Sequence, residues 1–149
     1  MSTLKRSTLI LTLIVLAACS AAPTSPLAAN RQKWESQHIT HYRFHLSIIC
    51  FCGFSDRMPL TIEVKDGQLV SILDRQGQPM TEFLATFEKY STIEKIFIVL
   101  DSALNGGADK VTVDYNADYG YPQSINIDYV EQAMDDEMAF EISEFEILK

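Results

Sequence analysis

The stretch His41-Tyr42-Arg43-Phe44-His45-Leu46-Ser47-Ile48-Ile49-Cys50 alternates polar and apolar side chains over its first eight positions. Successive side chains of a strand point to opposite faces. A period of two therefore places Tyr42, Phe44, Leu46, Ile48 and Cys50 inside, and His41, Arg43, His45 and Ser47 in water. The pattern predicts a strand over residues 41–51. A strand buried on one face only belongs to an antiparallel sheet with one covered side.

Reading outward from it, Asn30 is the expected N-cap of a short helix that ends near His38 and is anchored by Trp34. Downstream, residues 52–56 turn, and a second strand points Met58, Leu60, Ile62 and Val64 inward. Pro59, which lacks an amide hydrogen, marks either an edge position or a strand start. Asp66-Gly67 is a tight-hairpin signal, because a type I′ turn needs positive φ at both central residues. A third strand returns over residues 68–73. Residues 74–90 form a loop, opened by Gly77 and Pro79 and pinned by Phe83, Leu84 and Phe87. Ser91-Thr92-Ile93-Glu94 has the form of a capping box with Ser91 as N-cap. The helix it starts carries the stripe Ile93, Ile96, Phe97, Leu100 and Leu104, runs to about Asn105, and ends at Gly106-Gly107.

A fourth strand covers residues 110–116 and a fifth residues 122–130. Met138, Phe140 and Ile142 alternate, then Phe145 and Ile147 continue out of phase. That slip predicts a β-bulge near Ser143-Glu144 in a sixth strand. The order is helix, three strands, helix, three strands. The expected class is α+β: about six mostly antiparallel strands with two helices packed on one face.

The N-terminus reads as a leader. Lys5 and Arg6 precede an apolar run too short to span a bilayer, and Leu16-Ala17-Ala18 then leads to Cys19. This resembles the lipobox of bacterial lipoproteins. The resemblance implies a signal peptide over residues 1–18, cleavage before Cys19, and lipid on the Cys19 thiol and the new amine. Acyl chains contribute about 0.8 kcal/mol per buried methylene, so two or three hold a protein on a membrane almost permanently. Ser20 after the cysteine points to the outer membrane if the cell has two. Residues 19–29 read as a lipidated tether, small and uncharged, and residues 30–149 as a single domain.

Cleavage leaves 131 of the 149 residues and removes Lys5 and Arg6 but no acid, taking the formal charge from −8 to −10. An acidic surface argues against nucleic acid and against electrostatic attachment to anionic lipid; it suits the solubility of a domain held by acyl chains, the leading reading, or a basic envelope protein as partner.

With Cys19 assigned to lipid, Cys50 and Cys52 are the remaining pair, and an exported location favours a disulfide. Two residues apart on an extended strand, their Cα atoms would stand about 6.6 Å apart, near the upper limit for bridging. The backbone must contract, which Gly53 permits. No basic residue adjoins the pair to activate a thiol, so thiol-redox chemistry is the lesser reading. His41 and His45 share a face but lie about 13 Å apart, too far for one metal ion. Asp114 to Gly120 imitates the start of a calcium loop, but Tyr119 and Ile125 occupy the sixth and twelfth positions, where such loops need Gly and Glu. Asx-turn chemistry accounts for it, and weak calcium binding is an alternative. No nucleophile elbow is present. No enzyme activity, metal or cofactor is expected.

Several features co-occur: the leader, Trp34 leading to Tyr42, Cys50-Phe51-Cys52, Val64-x-Asp66-Gly67, Thr92-Ile93-Glu94-x-Ile96-Phe97, Val113-Asp114-Tyr115, Gly120-Tyr121-Pro122 and Asp135-Asp136-Glu137. Together they resemble a bacterial lipoprotein family catalogued as domain of unknown function 6174. The resemblance implies an exported single domain and carries no catalytic residues. The functional expectation is a membrane-anchored binding module. The runner-up is a small envelope enzyme inhibitor that docks through the 116–122 turn, with Asn116, Asp118, Tyr119 and Tyr121 as interaction residues.

Overall fold

The computed structural model describes residues 25–149. The proposed leader, Cys19 and most of the tether lie outside them. Six antiparallel strands form one sheet: β1 (His41–Ile49), β2 (Leu60–Lys65), β3 (Gln68–Leu73), β4 (Lys110–Tyr115), β5 (Pro122–Asp128) and β6 (Met138–Ile147). Their spatial order is β3-β2-β1-β6-β5-β4, so each three-strand run is a meander and the two join where β1 meets β6. Helices α1 (Pro26–Ser36) and α3 (Ile93–Ser102) and the one-turn helix α2 (Leu84–Phe87) complete the α+β fold. Among the described residues no helix is long and apolar enough to cross a membrane.

The alternation in β1 is realised as far as Ile48: Tyr42, Phe44, Leu46 and Ile48 are buried and the residues between them are partly open. The strand ends at Ile49 rather than at residue 51, and Cys50, expected inside, is half-buried where the chain turns. They join Leu60, Ile62 and Val64 of β2, Ile125 and Ile127 of β5, and Phe140 and Ile142 of β6 in one core under the helices. Full burial of each such side chain contributes about 1.5–3 kcal/mol. Asp66 and Gly67 turn the β2–β3 hairpin with φ of 51° and 72°. Glu144, at φ 51°, is the bulge that shifts the β1–β6 register opposite Arg43 and His45.

Several boundaries differ from expectation. Helix α1 starts at Pro26, inside the expected tether, with Ser25 as its cap: the Ser25 hydroxyl accepts from the Ala28 N–H at 3.2 Å. A Ser-Pro pair both caps and pre-sets the first turn, and this outcompetes Asn30. Pro59 stands just ahead of β2, which is flanked by β1 and β3 and is no edge. Thr92, one residue later than expected, caps α3 by accepting from the Lys95 N–H at 3.2 Å. Ser91 instead donates to the Glu88 carbonyl. The last turn of α3 widens to a π-turn over Ala103–Gly107, so Ala103 enters the core and Leu104 is 46% exposed. Of the three loop anchors, Phe87 is fully buried; Phe83 and Leu84 are exposed, though Phe83 packs edge-on against Phe54 at 5.7 Å. β5 ends at Asp128 rather than at residue 130.

Candidate functional site

The helices cover one face of the sheet. On the other, register aligns Thr112 of β4 with Asn126 of β5, Asn126 with Ala139 of β6, and Ala139 with Ile49 of β1. Their chain neighbours Val113, Ile125, Phe140 and Ile48 point to the helix side. The row therefore faces outward by the period-two rule. Thr, Asn and Ala are short, and the row forms the floor of an open groove of about 540 Å³. That size lies within the usual range of ligand sites, about 300–1,000 Å³.

Two loops wall the groove. On one side Cys50 and Cys52 lie with their sulfurs at bonding distance across a Cα–Cα separation of 5.2 Å. The contraction comes from a tight turn in which the Cys52 N–H donates to the Cys50 carbonyl at 2.8 Å. Phe51, at its apex, is 86% exposed. The other wall is segment 129–137, fastened where the Glu131 N–H donates to Asp109 Oδ2 at 3.1 Å. It contributes Asp135 and Glu137, and Asp128 and Lys110 close the end of the groove. Met134, on the same segment, is 90% exposed.

Negative charge accumulates here. Partial burial, then the carboxylates of Asp136, Glu137, Glu131 and Asp109, raise the Asp128 carboxyl above its ordinary value. Both oxygens of Asp136 are shielded from water and have no hydrogen-bond partner among the described residues.

The 116–122 turn has a different character. Asn116 Oδ1 accepts from the N–H groups of Asp118 and Tyr119, at 3.0 and 2.9 Å. The Lys33 ammonium of α1 donates to the Ala117 carbonyl. Tyr121 is buried, 4.9 Å from the Phe145 ring, and Tyr119 stacks beside both. Of the four residues expected to interact, only Asp118 is exposed. The turn holds α1 to the sheet. Among the described residues no three or more His, Cys, Asp or Glu side chains gather as a metal site. His41 Nε2 lies 2.9 Å from Glu63 Oε1 on the uncovered face.

A family described only as of unknown function, DUF6174, matches residues 26–147. The chain belongs to that family. The match begins at the first residue of α1 and ends at the last of β6, so the DUF6174 domain is the whole fold described above. No curated protein and no solved structure matches the chain.

Sequence reasoning missed the groove in this DUF6174 domain because its floor is drawn from four strands far apart in the chain. One signal was available. The outward phase of β1, polar from His41 to Ser47, turns apolar at Ile49 and Phe51.

Proposed function

We propose that the mature chain is a lipid-anchored binding module of the cell envelope, attached through Cys19 and acting without catalysis. The attachment rests on the lipobox resemblance. If it holds, five residues separate Cys19 from the helix cap Ser25, and at about 3.3 Å each they keep the domain within about 20 Å of the bilayer. The binding reading is carried by the groove: its lining offers apolar side chains, an amide and carboxylates, with no Ser, Cys or His set beside a base.

Two measurements test these parts separately. Cells fed labelled palmitate should incorporate it into the wild-type chain and not into Cys19→Ala, which should leave the membrane fraction. An unlabelled wild-type chain would refute anchoring. For binding, a photo-crosslinker at Thr112 should give a discrete adduct in intact cells. The same group at Thr61, on this face but outside the groove, should not. No adduct from Thr112 would refute the binding reading.

A further inference from the structure

We propose that the groove on the uncovered sheet face receives a cationic segment of a partner protein, one that sets an Arg or Lys beside an apolar side chain. This rests on the binding reading above and names the occupant.

The shape comes first. The Thr112–Asn126–Ala139–Ile49 row crosses four neighbouring strands, a floor about 14 Å long at roughly 4.8 Å per strand spacing. It is open along its length, which suits several side chains of a polypeptide better than an enclosed small molecule. Phe51 stands at one wall on a turn of three residues closed by the cysteine pair. A closed turn holds the backbone at Phe51 in place before contact, so less conformational entropy is lost on binding. Aromatic residues that reach a pocket on the partner dominate binding energy at interfaces. Phe51 and Ile49, both largely exposed, give the occupant its apolar contact.

Charge selects the rest. Asp128, Asp135 and Glu137 line the groove, with Lys110 as the single cation among the lining residues. Asp136, Asp109 and Glu131 add to the field that disfavours ionisation of Asp128. A guanidinium or ammonium entering here relieves that repulsion, and because the groove is open to solvent the attraction is screened by salt. The same field repels anionic lipid headgroups and nucleic acid. It also repels a second copy of this chain, whose mature form carries a formal charge near −10.

The probe is a fluorescein-labelled synthetic hexapeptide of alternating leucine and arginine, with the arginines replaced by glutamate as control. The protein is the mature chain purified from cells in a neutral detergent. Fluorescence anisotropy should show saturable binding of the arginine peptide, weakening as salt is added, and none of the control. Phe51→Ala, and separately Asp128→Asn with Glu137→Gln, should each weaken binding about tenfold. Glu82→Gln, which removes one carboxylate charge away from the groove, should leave it unchanged. All four positions are exposed or partly exposed, and a cooperative melt with a Tm no lower than the parent's confirms that each variant folds. Equal binding by parent and groove variants overturns the proposal. The crosslink from Thr112 separates this inference from the reading beneath it. A partner peptide bearing Arg or Lys supports both. An adduct to an acidic or neutral peptide, to lipid or to a second copy overturns the cationic occupant and leaves binding standing. No adduct overturns both.

Discussion

Glu94 shows how far one residue can depart from its local pattern. The sequence Ser91-Thr92-Ile93-Glu94 assigns its carboxylate to the helix start. In the structure Oε1 accepts from Trp34 Nε1 at 2.8 Å and Oε2 from the Tyr42 hydroxyl at 3.2 Å, tying α1, β1 and α3 together. The Tyr42 oxygen in turn accepts from the Ile93 N–H at 3.1 Å. Burial, then the Glu94 charge, holds the Tyr42 phenol protonated far above the usual tyrosine range. Tyr42→Phe strips a partner from a buried N–H and from a carboxylate, and should cost about 1–3 kcal/mol in a urea melt. A neutral result would mean that the three-way link contributes nothing net. Asp128 supplies the pH dependence. Its folded pKa is raised, so its contribution to stability is full below the ordinary value of 3.8 and is lost as pH rises through the folded value. Asp128→Asn should therefore raise Tm at pH 7, and the gain should vanish on acidification below that ordinary value. A lower Tm at pH 7 would contradict the repulsion.

At the level of elements, period and turn chemistry were legible where the signal is local. The β1 alternation, the Asp66-Gly67 hairpin and the Glu144 bulge each depend on a few neighbouring residues, and each stands where the chain indicates. Boundaries were less so, because capping is a competition: Ser25 against Asn30 for α1, and Thr92 against Ser91 for α3. The 116–122 turn is the clearest case of an element whose role depends on its neighbour. Gly120, at φ 84°, lets α1 approach so closely that an added Cβ would lie 2.7 Å from the Asn30 carbonyl oxygen. Gly120→Ala meets both that contact and a left-handed backbone, and should destabilise by about 1–3 kcal/mol. Amide exchange should quicken in α1 first. Unchanged protection of α1 would show that the turn does not hold it.

For the molecule as a whole, the core supplies stability and the cysteine pair supplies local shape. A bridge that closes a loop of three residues removes little chain entropy, about 1.5 kcal/mol by the loop-length relation. Reduction should lower Tm by only a few degrees and leave the far-UV spectrum intact. Collapse on reduction would mean that the pair supports the core. Under the groove proposal, the larger effect of reduction is on binding, since Phe51 loses its fixed position.

By itself the chain determined which side of β1 and β2 is buried, where the hairpin and bulge fall, and that two runs of three strands, each preceded by a helix, make an α+β domain. These follow from side-chain periodicity and backbone preferences that act over a few residues. The tertiary structure alone decided that β1 pairs with β6, that Glu94 serves Trp34 and Tyr42, and that the 116–122 turn is packed under α1. It also brought Thr112, Asn126, Ala139 and Ile49 into one row. The physical reason is that strand order is a long-range choice: antiparallel pairing fits many orders equally well locally, and burial of the common core selects one. A groove floor built from four strands exists only after that selection.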